Sequence, residues 1–223
     1  MNERVQKYLA SAGYGSRREI EKWLEAGQIT TSQGVLKPGD RVEAGQVLYV
    51  HGKRIVISEL KHPTRMLVYH KAEGEITTHK DPGKRRRVFD SLPSIENGRW
   101  LSVGRLDVNT TGLMLFSNDG ELVNALMHPS SEVEREYLCR VYGPVSDDSL
   151  KRLCEGVQVG NDLLQFRSIE PEERTGSNQW FRIVLTGGKN REIRRAWQAF
   201  GCEVSRLKRV RYGHFHLPRH LKV

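Results

Sequence analysis

Apolar positions near the start of the chain repeat with a helical period. Val5, Leu9 and Ala12 fall at i, i+4 and i+7, and Gly13 and Gly15 then interrupt the pattern. Ser16 opens the string S-R-R-E, in which Glu19 stands at the capping-box position, so a second helix is predicted to bury Ile20, Trp23 and Leu24 and to stop at Gly27. Short β-prone pieces come next, punctuated by QG, PGD and AGQ and closing on one alternating strand, VLYVHGKRIVI. Residues 1–60 therefore form a small unit, joined by a linker at 61–64 to a longer second part.

From Arg65 onward the apolar runs lengthen. RMLVYHK, LMLFS, EYLCRVYG and NQWFRIVLT read as strands from their β-branched and aromatic content. Three segments between them read as helices: Asp119 to Met127, stopped by Pro129; Ser146 to Glu155, with an N-cap serine and two acidic first-turn residues; and Asn190 to Phe200, with Ile193, Ala196, Trp197 and Phe200 on one face. The pattern predicts an α+β protein whose second domain, residues 65–223, is built on a mainly antiparallel mixed sheet flanked by helices.

Composition narrows the class of partner. The chain has 223 residues and is 37% hydrophobic, a globular composition with no run of the roughly 18 to 20 apolar residues needed to span a membrane. No apolar leader follows the start, so a cytoplasmic location is expected. Cys139, Cys154 and Cys202 are odd in number and widely spaced, which fits neither a disulfide framework nor a CxxC zinc site. The formal charge is +9, spread over both parts of the chain, and an anionic partner, nucleic acid first, is implied by it. The basic residues Arg17, Arg18 and Lys22 lie in the first two turns of the second helix, where free N–H groups already favour phosphate.

The densest unusual stretch is GRLDVNTTGLMLFSNDG, residues 104 to 120. It surrounds one acidic residue, Asp107, with turn formers and leads directly into a strand. Read by itself, Asp107 is a turn aspartate capping a loop N–H. His214 and His216 could share a strand face, but no third ligand stands near them in sequence, so no metal is expected. No GxGxxG, P-loop or metal-ligand pattern is present.

Two resemblances add to this reading. RVQKYLASAGYGSRREIEKWLEAGQI with its hairpin-rich tail resembles an S4 RNA-binding domain. The 104–120 string is similar to the catalytic motif of pseudouridine synthases of the small- and large-ribosomal-subunit type. HKAEGEITTHKDPGKRRRVFDSLP, MHPSSEVEREYLCRVYG and TGGKNREIRRAWQAFGCEVSRLKRVRYG resemble further segments of that family, and NREIRRAW and SRLKRVRYG look most like its large-subunit branch. Many members carry His-Gln where this chain has Arg191-Glu192, a departure that the large-subunit branch shares.

The resemblance implies an isomerase that flips one uridine of large-subunit ribosomal RNA out of its helix, detaches uracil and rejoins it through carbon, with no cofactor. It implies that Asp107 is the catalytic carboxylate, that Arg194 forms a bidentate pair with it to keep it ionised, and that Tyr137 stacks on the target base. Arg105 would fill the gap left by the flipped uridine or bind phosphate. Arg4, Arg17, Arg18, Lys22, Lys84, Arg85, Arg86, Arg87, Lys189, Arg191, Arg195, Arg206, Lys208, Arg209 and Arg211 are the expected phosphate contacts, which position RNA without reading its sequence. The expected partner is ribosomal RNA, free or in an assembling particle, with the protein a monomer and no membrane involved. Three alternatives stand beside this: a synthase of another branch, acting on small-subunit RNA or another large-subunit site; a non-catalytic S4 ribosome-assembly factor; and a DNA-binding regulator using the N-terminal helix pair, although such readers usually pair with symmetric half-sites and need no catalytic-size partner domain.

Overall fold

The computed structural model describes residues 2–58, 63–95 and 98–222, and residues 59–62, which include the start of the expected linker, lie outside them. The chain divides into two compact units. The first comprises Met1–Arg65, Pro93–Leu101 and Asn118–Gly120, and the second Met66–Leu92, Ser102–Ser117 and Glu121–Val223. The segment around Asn118, assigned from sequence to the second domain, belongs with the first unit for a local reason. Arg65 N donates to Asn118 Oδ1 (2.8 Å), Asn118 Nδ2 to the Pro63 carbonyl (3.1 Å), and Thr64 Oγ1 to Asp119 Oδ2 (3.1 Å).

In the first unit, β1 (Asn2–Arg4) leads into α1 (Val5–Ser11) and α2 (Arg17–Glu25). Ser16 and Glu19 complete the capping box that their spacing predicts, with Glu19 N donating to Ser16 Oγ at 3.1 Å. The apolar faces of both helices close over β2 (Ile29–Thr31), β3 (Gly34–Val35), β4 (Arg41–Glu43), β5 (Val47–Val50) and β6 (Lys53–Val56). Val5, Leu9, Ile20, Leu24, Ile29, Val42 and Leu48 form the core. The single strand expected over VLYVHGKRIVI is a hairpin instead. His51 and Gly52 both have positive φ (49° and 76°), and Val50 pairs with Lys53 across them. A two-residue turn of that hand reverses the chain while keeping the strand twist.

The second unit contains β7 (Met66–Lys71), β9 (Thr111–Ser117), β10 (Arg135–Tyr142), α4 (Asp147–Glu155), β11 (Val157–Val159), β12 (Asp162–Leu164), β13 (Ser168–Thr175), β14 (Asn178–Leu185), α5 (Glu192–Gln198), β15 (Glu203–Tyr212) and β16 (Phe215–His216), while β8 (Leu101–Ser102) and α3 (Gly120–Met127) each begin on a residue of the first unit and continue into the second. Its sheet runs β13-β14-β10-β15-β9-β7. All neighbours are antiparallel except β15 and β9, so the expected mainly antiparallel mixed sheet is what the chain builds. α5 covers one face of it, where the Trp197 ring meets Phe181 with centroids 5.1 Å apart. Both rings are fully buried, as is Cys139 beside Phe181 in the register. The parallel join of β15 to β9 is the feature that matters for function, because the turn carrying Asp107 leads directly into β9.

Candidate active site

A cavity of about 610 Å³ opens in the second unit. Asp107, Tyr137 and Arg194, distant in sequence, all line it. Asp107 stands half-buried in a turn that Thr110 N closes by donating to the Asp107 carbonyl (3.0 Å). The surrounding structure binds every other carbonyl of that turn. Leu106 O accepts from Thr77 Oγ1 (3.2 Å), Val108 O from Gly74 N (2.8 Å), Asn109 O from Arg194 Nη2 (2.9 Å) and Thr110 O from Lys71 Nζ (2.8 Å). A loop with its backbone acceptors all satisfied is rigid, and its one acidic side chain is presented in a fixed place. The Asp107 carboxylate itself takes no hydrogen bond from any described residue.

The expected bidentate pair between Arg194 and Asp107 is not formed. The two terminal nitrogens of Arg194 go to backbone carbonyls, Nη1 to Val204 O (2.6 Å) and Nη2 to Asn109 O (2.9 Å), and its buried Nε has no partner. Burial pushes the guanidinium below the usual arginine range and the nearby Arg191 adds to this, while the Asp107 charge acts in the opposite sense. Arg194 therefore braces the turn through its backbone and faces the carboxylate as an unpaired charge in low dielectric.

Lys71 does parallel work, and sequence reasoning missed it. It is fully buried at the end of β7, and its ammonium donates to the carbonyls of Ala72 (2.9 Å), Thr110 (2.8 Å) and, more weakly, Val108 (3.4 Å). Burial lowers its pKa to about 8, against the opposing pull of Glu75, Asp107 and Glu73. A lysine closing an apolar strand is the only trace of this in the sequence.

Tyr137 is 8% exposed on β10, where it faces Ile183 of β14 and Arg209 of β15. Its hydroxyl has no hydrogen-bond partner among the described residues, and the ring forms part of the cavity wall. Arg135, two residues earlier, donates to the carbonyls of Thr186 (2.7 Å) and Gly187 and to Tyr212 Oη (3.1 Å). Glu192, at the start of α5, is 7% exposed; burial raises its pKa and its carboxylate accepts from Lys189 N at 3.1 Å.

The expected phosphate contacts separate into groups. Arg4, Arg17, Arg18 and Lys22 are exposed in the first unit. Lys84, Arg105, Arg191 and Arg206 are exposed in the second and Lys208 is half-buried, none with an acidic partner among the described residues; Arg105 and Arg191 stand at the cavity. The others are already engaged. Arg85 pairs with Asp81 (2.8 Å), Arg86 with Glu75 (3.0 Å) and Arg87 with Asp90 (2.5 Å). Lys189 and Arg195 share Asp162 (3.5 and 2.8 Å), and Arg211 bridges Glu134 (3.1 Å) and Glu136 (2.8 Å). Arg209 is not a surface residue. At 2% exposure it belongs to the cavity wall, because the alternation of β15 turns it inward.

An α+β fold with a mixed sheet, and a carboxylate held on a braced turn inside a basic cavity, suit chemistry on a base drawn out of RNA. The chain belongs to the RNA pseudouridylate synthase family: that family model matches residues 65–199, and an S4 domain model matches residues 3–48. It is 50% identical over 224 residues to the ribosomal large subunit pseudouridine synthase B of Yersinia pestis, covering 99% of this chain and 70% of that protein. The protein of the same name from Escherichia coli strain K12 is also 50% identical, with 77% of its length covered. A crystal structure of a pseudouridylate synthase shares the fold, with a TM-score of 0.67 at 20% identity, covering 99% of this chain and 93% of that one.

Proposed function

We propose that this protein isomerises one specific uridine of large-subunit (23S) ribosomal RNA to pseudouridine in the cytoplasm, acting as a monomer on free RNA or an assembling particle. The observation that carries the reading is Asp107, held on a turn whose carbonyls are all bound, in one cavity with Tyr137 and Arg194. Its support is 50% identity, along 99% of the chain, to proteins named for that activity.

In this reading the S4 unit recruits structured RNA through Arg17, Arg18 and Lys22, and the target uridine leaves its helix for the cavity. Tyr137 stacks on the uracil. Asp107, as a carboxylate, attacks or deprotonates the ribose while the glycosidic C–N bond breaks. Arg194 and Lys71 hold the Asp107 turn in place, and Arg105 stands where it can enter the vacated RNA stack. Uracil then turns and rejoins the ribose through carbon. The overall change is an isomerisation and calls for neither redox chemistry nor a transferred group.

The test incubates the protein with unmodified large-subunit ribosomal RNA, then maps pseudouridines by carbodiimide labelling and primer extension, with Asp107→Asn alongside. A single new stop that the Asn variant fails to produce is the expected result. A stop on small-subunit RNA alone would move the protein to another branch of the family. Wild-type turnover by the Asn variant would remove Asp107 from the chemistry, and no stop on either RNA would favour an assembling-particle substrate or the assembly-factor reading.

A further inference from the structure

The cavity contains a cation to which the mechanism above gives no task. Arg209 is 2% exposed, its Nε donates to the Leu113 carbonyl (2.8 Å), and its Nη2 is buried with no hydrogen-bond partner. No carboxylate pairs with it among the described residues. A buried guanidinium with an idle donor and no counter-charge is costly, and an apolar side chain would serve packing better.

Its position is tightly fixed. The register of β10 against β15 sets Arg209 directly opposite Tyr137, and β15 pairs with β9 at Gly112, five residues beyond Asp107. The Tyr212 ring supports the guanidinium, with Cζ 5.1 Å from the ring centroid. On the same ring, the Arg135 guanidinium (5.0 Å) is occupied by two backbone carbonyls and the Tyr212 hydroxyl. Arg209 is thus a preorganised cation with a spare N–H, beside the tyrosine on which the reading above stacks the base.

The reaction creates a matching need. When the C1′–N1 bond breaks, its electron pair stays with the base, and the departing uracil carries a negative charge shared among N1 and its carbonyl oxygens. Asp107 in the same cavity opposes that second charge. We propose that Arg209 receives a carbonyl oxygen of the detached uracil and stabilises its anion while the ring turns. The charge is discharged when C5 bonds to C1′, C5 gives up its proton and N1 takes one, so Arg209 keeps its own proton throughout. Preorganised donors at a developing anion act in this way in other enzymes.

This inference rests on the pseudouridine-synthase reading, and the experiment separates the two. Single-turnover rates at saturating large-subunit RNA are measured for wild type, Arg209→Lys, Arg209→Gln and Asp107→Asn, with thermal melts and with RNA affinity across salt concentrations. Arg209→Gln is expected to lose about a hundredfold in rate, with RNA affinity and its salt slope unchanged, and Arg209→Lys to lie between it and wild type. A wild-type rate in a folded Arg209→Gln overturns the proposal. A loss confined to affinity, with the salt slope shallower by about 0.7, also overturns it by making Arg209 a phosphate contact. A rate loss that matches the loss of folded protein does so as well. If neither variant folds, wild-type protein is titrated with 5-nitrouracil, ionised at neutral pH, and with uracil, neutral there. Tighter binding of the ionised ring supports the proposal; equal or weaker binding refutes it. Wild type inactive on free RNA and on assembling large-subunit particles alike defeats the underlying reading, whereas active wild type with fully active Arg209→Gln defeats this inference alone.

Discussion

The Lys71 ammonium donates to the Thr110 carbonyl oxygen across 2.8 Å and so ties the end of β7 to the turn that carries Asp107. Its other partners, Ala72 O and Val108 O, need its remaining two protons. Burial brings its pKa from the ordinary 10.5 to about 8. Raising the pH through about 8 therefore removes one donor from the brace, and the rate of isomerisation should fall on that alkaline limb. Global stability should move the other way. Between about 8 and 10.5 the unfolded chain binds more protons at this residue than the folded chain, so the Lys71 contribution to the unfolding free energy rises with pH. Lys71→Met should lose about a hundredfold in single-turnover rate at neutral pH and lack the limb near 8. A persisting limb in that variant would assign it to another group.

Gly112 is the point where β9 meets β15, and nothing larger fits. Its φ is +107°, and a Cβ there would fall on the Arg209 carbonyl and 2.7 Å from the Arg209 nitrogen, both backbone atoms that cannot step aside. Gly112→Ala should cost about 4 kcal/mol, with urea unfolding as the measurement. A loss below about 1 kcal/mol would show that the two strands can part without penalty.

Much of this architecture is legible in the sequence because local signals agree there with tertiary demands. The Ser16 capping box, the Trp197 face of α5 and the apolar strands β7, β9, β10 and β14 are of this kind. β15 is harder to read. Its sequence EVSRLKRVRY interleaves charges with buried Val204, Leu207 and Tyr212, and a bulge breaks the alternation, so its arginines read as surface charge although Arg209 is buried. The His51-Gly52 turn is hidden for a different reason: a histidine at positive φ carries no distinctive sequence mark. The destination of Arg194 is equally illegible. Its donors go to main-chain carbonyls, which every residue possesses, so no acidic partner in sequence could have pointed to them.

Ion pairing divides the basic residues by their value to RNA. Arg17, Arg18 and Lys22 are exposed with no acidic partner among the described residues, whereas Arg211 is held between Glu134 and Glu136. Replacing Arg17, Arg18 and Lys22 by alanine should weaken RNA binding and make the salt dependence shallower, by about 0.7 to 0.9 in slope for each phosphate no longer neutralised. Arg211→Ala should leave that slope unchanged and cost no more than about 1 kcal/mol of stability, because Glu134 keeps its pair with Arg167 (3.0 Å) and Glu136 its pair with Arg182 (2.5 Å). Plots of binding constant against salt, with melts of the same proteins, decide the matter; a shallower slope for Arg211→Ala would count against the division.

Glu192 offers a test of the cavity's electrostatics that needs no RNA. The residue is 7% exposed, and Gly187 leaves room for it, since a Cβ there would stand 2.5 Å from Glu192 Oε1. Burial raises its pKa above the ordinary 4.5, so the folded chain binds more protons than the unfolded chain as pH climbs out of the acid range. Stability from this group is therefore present at low pH and is lost as pH rises through the raised value. Glutamine carries no such charge and keeps an oxygen for the Lys189 N–H, which the carboxylate accepts at 3.1 Å. Glu192→Gln should accordingly melt above wild type at pH 7, and the gap should close towards pH 4. The same substitution removes a negative charge beside Arg135 and Lys189, so it should also tighten RNA binding. If wild type and variant melt together at both pH values, the carboxylate carries no desolvation cost, and its neighbours compensate for its burial in full.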